Sequence, residues 1–143
     1  LRDITCSFVK VELTIAGGCR NAEDQNRVQK LKGLAKAWDL TENVKWKLNV
    51  AYEELLDALS ESMISIHTMW NEHFGIVVVE GMAAGTIMLA HDSGGPELDI
   101  LRPADLNKQE QPLGFLASTK DGWWNKMFII FSSLSISNFS FRD

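Results

Sequence analysis

Apolar and polar positions alternate between two periods along the chain, and the switches between them mark the elements. Residues 8–16 mix β-branched and apolar side chains and run into Gly17-Gly18, the pattern of a strand ending in a turn. Residues 22–38 place Val28, Leu31, Ala35 and Trp38 at helical spacing, with Glu23 and Arg27 four apart on a wetter face. Residues 44–50 alternate like a half-buried strand. Residues 52–60, with Leu55, Leu56 and Leu59, predict a short amphipathic helix. Residues 63–68 and 87–91 are further strand candidates.

Strands and helices that alternate with short connections predict an α/β fold: a Rossmann-like parallel sheet with helices on both faces and right-handed crossovers. Ligands of such open sheets bind beyond the carboxyl ends of the strands. Those ends fall at Gly17-Gly18, at residues 67–71 and at residues 91–95. One segment carries both periods. Ile76-Val77-Val78-Val79 has strand propensity, whereas Phe74, Val77, Val78, Gly81, Met82 and Gly85 fit a helix face closed by a glycine C-cap. Its length and the following Met82-Ala83-Ala84 favour helix.

Composition narrows the function. The 143 residues, 45% hydrophobic and 23% charged, fit one globular domain with a real core. A net charge of −5 argues against a nucleic-acid partner bound through a basic surface. Two cysteines, Cys6 and Cys19, make no disulfide framework and read as free thiols in a reducing compartment. No run approaches the roughly 20 apolar residues that span a bilayer. Asn138-Phe139-Ser140 matches a glycosylation sequon, a pattern short enough to arise by chance. The chain opens on Leu1-Arg2-Asp3 without a start methionine, which reads as a fragment.

The candidate chemistry is concentrated between Asn71 and Pro96. Glu72 precedes the expected helix and Glu80 lies on it. A carboxylate before a helix N-terminus is stabilised by the dipole, and the N–H groups there suit phosphate oxygens. Carboxylates accept from hydroxyls, so the pair suits the two ends of a sugar nucleotide. Two solvated surface acids fit the same spacing. Gly94-Gly95-Pro96 follows a strand. Adjacent glycines can aim N–H groups at an anion, and Pro96 suits a first helical turn, but a plain tight turn fits equally. Gly17-Gly18 is similar and weaker, because no Gly-x-Gly-x-x-Gly pattern is present. His67, His73 and His91 match neither zinc-helix pattern, so no metal is expected. No Gly-x-Ser-x-Gly elbow is present. His91 reads as a strand-end residue, and Trp38, Trp46 and Trp70 read as core or core edge.

Glu72-x-Phe74-Gly75-x-x-x-x-Glu80-x-Met82-Ala83-Ala84-Gly85, followed by Gly94-Gly95-Pro96, resembles the donor-site signature of retaining GT-B glycosyltransferases, group 1 and family 4 in type. More narrowly, Ile66-His67-Thr68-Met69-Trp70-Asn71-Glu72-His73-Phe74-Gly75-Ile76, Ala16-Gly17-Gly18-Cys19-Arg20-Asn21 and residues 90–96 resemble the GDP-mannose-dependent α-1,2-mannosyltransferases that extend a dolichol-linked oligosaccharide on the cytosolic side of the endoplasmic reticulum. The resemblance covers residues 9–118. It implies the C-terminal, donor-binding domain of a GT-B enzyme over residues 1–118. Glu72 would contact the transferred mannose and offset positive charge as the donor bond breaks. Glu80 would hold the ribose hydroxyls of guanosine, and the backbone at His73-Phe74-Gly75 would face the diphosphate. Gly94 and Gly95 would shape the pocket, with Gly17 and Gly18 also donor-binding. The reaction would retain configuration and need no cofactor or metal, the leaving-group charge being met by protein donors.

The resemblance implies further parts too. A basic pair that grips the diphosphate would precede Leu1, and a separate acceptor domain would carry the membrane anchor and bind the dolichol-linked oligosaccharide. Other mannosyltransferases of the pathway would be partners. The chain alone is therefore expected to be inactive or nearly so, since half of the cleft is needed from elsewhere. Beyond Ser118 the resemblance stops. Residues 119–143, with Trp123-Trp124 and an apolar run before a Ser-rich end, read as a divergent tail from a translated non-coding stretch or an alternative end. Two other functions share the architecture: a sugar-nucleotide epimerase or hydrolase, and a non-catalytic nucleotide-binding module.

Overall fold

The computed structural model describes residues 10–102 and 113–137. Cys6, the start of the first predicted strand at Phe8, and the Asn138 sequon lie outside them. The chain divides into two compact units between Ala58 and Leu59.

The first unit holds β1 (Leu13–Gly17), α1 (Ala22–Ala37), a 3-10 turn at Thr41–Asn43 and β2 (Val44–Leu48); α2 (Tyr52–Ser60) runs across the division. Strands β1 and β2 pair in parallel, Leu13 opposite Val44 through Gly17 opposite Leu48. Helix α1 starts where the sequence places it because Asn21 caps it, its Oδ1 accepting from the Asp24 N–H at 2.9 Å. Asp24 in turn accepts from the Arg20 N–H at 3.1 Å. That bond, aided by the Arg20 and Arg27 charges and opposed by burial, holds the Asp24 carboxyl below the usual aspartate range. The expected pair forms, with Arg27 Nη2 3.6 Å from Glu23 Oε1. Of the predicted inner stripe, Val28 and Ala35 are half-buried, but Leu31 is exposed and Trp38 is 68% exposed. It sits at the C-cap, past the last helical residue, where the helical spacing no longer aims it inward. Trp46 is half-buried, and Lys32 Nζ lies 5.5 Å from its ring centroid.

The second unit holds β3 (Ile64–His67), α3 (Ile76–Ala83), β4 (Ile87–His91), a helical segment with wide i→i+5 turns at Pro96–Leu101, β5 (Phe115–Ala117) and α4 (Lys120–Ser137). All three strands are parallel in the order β3-β4-β5. The expected parallel α/β architecture is present, its strand ladder divided between a two-stranded and a three-stranded sheet. Strand β4 is central, and its unbroken apolar run Met88-Leu89-Ala90 is buried on both faces, as a parallel middle strand requires. Val78, Met88, Ala90 and Leu101 form the core, with Met82, Ile100 and Leu116 packed against it.

The ambiguous segment is a helix. Gly75 starts it in the left-handed region at φ 91°, and Gly85 ends it at φ 82°. The Thr86 N–H reaches the Gly81 carbonyl at 3.1 Å and the Gly85 N–H reaches that of Met82 at 3.0 Å, the two bonds of a Schellman stop. Val78 and Gly81 are buried on its inner stripe, while Ile76 and Val77 are exposed. Gly81 allows close packing: a Cβ there would run into the Met88 sulfur. Beyond Ser118, residues Lys120–Ser137 form a helix. Helix α4 packs on β5, and Ile130 is 2% exposed.

Candidate functional site

Two loops at the carboxyl ends of β3 and β4 are locked together. The first runs from Thr68 to Gly75, the second from Asp92 to Gly95. Four contacts join or brace them. The Gly95 N–H donates to the Glu72 carbonyl at 2.8 Å. The Asn71 N–H donates to Ser93 Oγ at 2.8 Å, and Ser93 Oγ also lies 2.9 Å from His91 Nδ1. The Asp92 N–H donates to the Ala117 carbonyl at 3.1 Å, tying the second loop to β5.

The glycines exist for this contact. A Cβ on Gly94 would fall inside the Glu72 carbonyl, and one on Gly95 would collide with the carbonyls of both His73 and Phe74. Gly94 also stands at φ 62°, a region costly for other residues. The Gly-Gly pair therefore acts by close backbone approach. The Gly95 N–H is taken by the Glu72 carbonyl.

This clamp sets the first loop's direction. With the His73 and Phe74 carbonyls turned to Gly95, the trans peptide planes send the Phe74 and Gly75 N–H groups the opposite way. Helix α3 follows at once, and no side chain caps it. The carbonyl of Gly75 accepts from Val78 and Val79, so of the first turn only the Ile76 and Val77 N–H groups lack an intrahelical acceptor. The result is a helix N-terminus without a side-chain cap, beside amides turned away from Gly95.

Glu72 is partly buried. Its Oε2 lies 3.7 Å from His67 Nε2, with the side chains 25% and 14% exposed. Glu80 is half-buried on α3, four residues after Ile76 and three after Val77, so it shares their exposed stripe. It stands about 6 Å of helix rise from Ile76. His73 and Phe74 are exposed and Gly75 is buried. The second unit thus brings Glu72, His73, Phe74, Gly75, Glu80, Gly94 and Gly95 into one continuous stretch of structure.

Gly17 and Gly18 belong to the first unit, at the end of β1, and both are exposed. Their loop is fixed by Asn49, a residue that sequence reasoning passed over. Asn49 Oδ1 accepts from the Cys19 N–H at 2.7 Å, and its Nδ2 donates to the Cys19 carbonyl at 2.9 Å. It stands at φ 51°, and an Asn directly after a strand was the readable signal, since Asn is a frequent left-handed residue. Ser93 and Asn71 were missed too, because their bond spans 22 residues. His91 is the strand-end residue expected, its ring 6.4 Å from that of Trp123. Trp70 is a correction: it is 72% exposed, held on the loop after β3 and not in the core. Among the described residues, no three His, Cys, Asp or Glu side chains group as metal ligands would. An open groove of about 370 Å³ on the first unit, lined by Lys10, Val11, Leu13, Leu40, Asn43 and Val44, contains none of the predicted site residues.

Parallel α/β units with a helix start and two carboxylates eight positions apart at the strands' carboxyl ends agree with the glycosyltransferase class that the resemblance implies. The chain belongs to the glycosyl transferases group 1, whose family model matches residues 2–116. In solved structures the fold recurs in sucrose-phosphate synthase from Thermosynechococcus elongatus, with a TM-score of 0.67 and 23% identity over 85% of this chain and 29% of that one. It recurs also in Anabaena HepE in complex with UDP, with a TM-score of 0.64 and 22% identity over 90% of this chain and 32% of that one. More similar in sequence are proteins named GDP-Man:Man(3)GlcNAc(2)-PP-Dol alpha-1,2-mannosyltransferase. The one from Mus musculus is 49% identical over 85% of this chain and 24% of its own length. The one from Caenorhabditis elegans is 55% identical over 78% of this chain and 23% of its own length. The chain therefore spans about a quarter of the length of the curated relatives it matches.

Proposed function

We propose that this chain supplies the donor site for transfer of mannose from GDP-mannose, in α-1,2 linkage, to a dolichol-diphosphate-linked oligosaccharide at the cytosolic face of the endoplasmic reticulum. The observation that carries the reading is the clamp of Gly94-Gly95 on residues 72–74, which leaves a helix N-terminus without a side-chain cap between two carboxylates. The names of the relatives supply the sugar, the nucleotide and the acceptor. In this reading the Phe74 and Gly75 amides and the first turn of α3 receive the diphosphate, because uncommitted N–H groups at a helix end favour anions. Glu80, on the same stripe one turn along, accepts from the ribose hydroxyls. Glu72 accepts from the mannose hydroxyls and offsets positive charge on the sugar as the donor bond lengthens. Leaving-group charge on the diphosphate is met by the same amides, already oriented before substrate arrives. No metal or cofactor takes part.

Calorimetric titration of GDP-mannose, with UDP-glucose as control, tests the donor assignment. GDP-mannose should bind selectively, and Glu80→Gln should weaken it about tenfold or more, the loss of charge-assisted hydrogen bonds to two hydroxyls. Equal affinity for both donors, or an unchanged Glu80→Gln variant, would overturn it. Release of free mannose without acceptor would point instead to a hydrolase.

A further inference from the structure

His67 closes β3 at the carboxyl edge where this architecture binds ligands. Its Nε2 is sealed from solvent and is the buried side-chain polar atom without a hydrogen-bond partner among the described residues. Such an atom is costly to leave unmatched, so native structures seldom keep one without a reason. The charged group facing it is the Glu72 carboxylate, 3.7 Å away, too long for a hydrogen bond but within ion-pair range. Closing to the 2.7–2.9 Å of a charge-assisted bond needs about 1 Å of side-chain movement.

We infer that His67 is a positioning residue for Glu72: its Nε2–H takes Oε2 and thereby aims Oε1 at the donor sugar. The inference rests on the reading of Glu72 proposed above. Glu72 is then held twice, its main chain by the Gly95 N–H and its side chain by His67. A carboxylate that is free to rotate presents its oxygens to a sugar hydroxyl in many directions; one tethered oxygen leaves the other with few. Orientation of this kind is worth most in the transition state, since a displacement of about 1 Å in a reacting group costs on the order of a hundredfold in rate. The imidazole must carry its proton on Nε2 to do this, in either the neutral or the cationic form.

The test is steady-state mannose transfer with substitutions made in the full-length protein carrying this chain. His67→Leu keeps the volume and removes the donor; His67→Gln restores an N–H at similar reach. His67→Leu should lower kcat at least about tenfold, with KM for GDP-mannose changed less than about threefold, and His67→Gln should recover most of the loss. Thermal unfolding of each variant accompanies the kinetics. Equal losses in Leu and Gln, or losses that follow the melting temperature, would make His67 merely structural and overturn the inference. Glu72→Gln separates the two levels. If it abolishes transfer while His67→Leu retains full kcat, the positioning role is wrong and the donor-site reading stands. If Glu72→Gln is itself fully active, the donor-site reading has failed.

Discussion

Replacing Gly95 by Ala adds one methyl group at the point where the two site loops touch. Gly95 has φ −57° and ψ −43°, which alanine adopts freely, so backbone conformation contributes nothing to the effect. What remains is collision. The new Cβ meets the carbonyl oxygens of both His73 and Phe74, and these are main-chain atoms that no side-chain rotation can move. Overpacking of this kind costs about 1–3 kcal/mol. Relief requires the loops to part, which breaks the 2.8 Å bond from the Gly95 N–H to the Glu72 carbonyl and adds about 0.5–1.5 kcal/mol. Urea unfolding should therefore show Gly95→Ala destabilised by about 2–4 kcal/mol at an unchanged m-value. Gly17→Ala is the matched control, because its Cβ would meet nothing within 4 Å and its φ is not positive; it should fall within about 0.5 kcal/mol of wild type. The same displacement moves Glu72, so GDP-mannose affinity should fall with stability in Gly95→Ala and stay unchanged in an equally destabilised core variant such as Val78→Ala. A Gly95→Ala protein as stable as Gly17→Ala would refute the reading of the glycine pair as a close-approach device.

Other substitutions check the frame around the site. Gly33→Ala, in the interior of α1 with open space at the added Cβ, should stabilise by about 0.5–1 kcal/mol in the same unfolding assay. Asn49→Ala removes both bonds to Cys19 and puts alanine at φ 51°, so it should cost about 2–4 kcal/mol and speed amide exchange at Cys19. Thr86→Val strands the Gly81 carbonyl of one partner and should cost about 1 kcal/mol, with the Thr86 main-chain bond to Gly81 still formed. The folded-state pKa of Asp24 is lowered, chiefly by the Arg20 N–H, so its contribution is complete above the usual aspartate range and is lost as pH falls through its own lower value. The stability gap between wild type and Asp24→Asn should accordingly shrink in acid and stay constant from about pH 5 upward.

The periodicity of the sequence carried the elements well where local signals agreed. Helix α1 begins at Ala22 because Asn21 and Asp24 are spaced for capping, and α2 and β4 fall at their predicted bounds. The valine run was harder, since residues 76–79 have strand propensity throughout. Helix won because both ends of the segment are glycines in the left-handed region, and because a helix buries Val78 and Gly81 on one stripe against Met88. A strand would have divided that pair between opposite faces less usefully, and tertiary burial outweighs β propensity of about 1 kcal/mol across its whole scale. The tryptophans misled for the converse reason. Hydrophobic type alone places Trp38 and Trp70 inside, but each stands where the chain leaves a regular element, and no periodicity aims a side chain there.

The site itself was legible in its parts and not in its mechanics. Residue type pointed to Glu72, Glu80 and the helix between them, and adjacent glycines marked a turn at 94–95. Which of the two loops held the other could not be read, because the Gly95–Glu72 contact joins main-chain atoms far apart in sequence that leave no side-chain signature beyond glycine. Its consequence reaches the chemistry. Because Glu72 takes the Gly95 N–H, the second loop governs where the Glu72 main chain sits, and the anion-binding role proposed above rests on the start of α3. Substitutions at Gly94 or Gly95 should therefore act on Glu72 by displacement, lowering turnover and stability together. Substitutions at Glu80 should lower donor affinity. A variant set in which Gly95→Ala lost donor affinity with unfolding midpoint unchanged would reverse that assignment and return the glycine pair to the ligand.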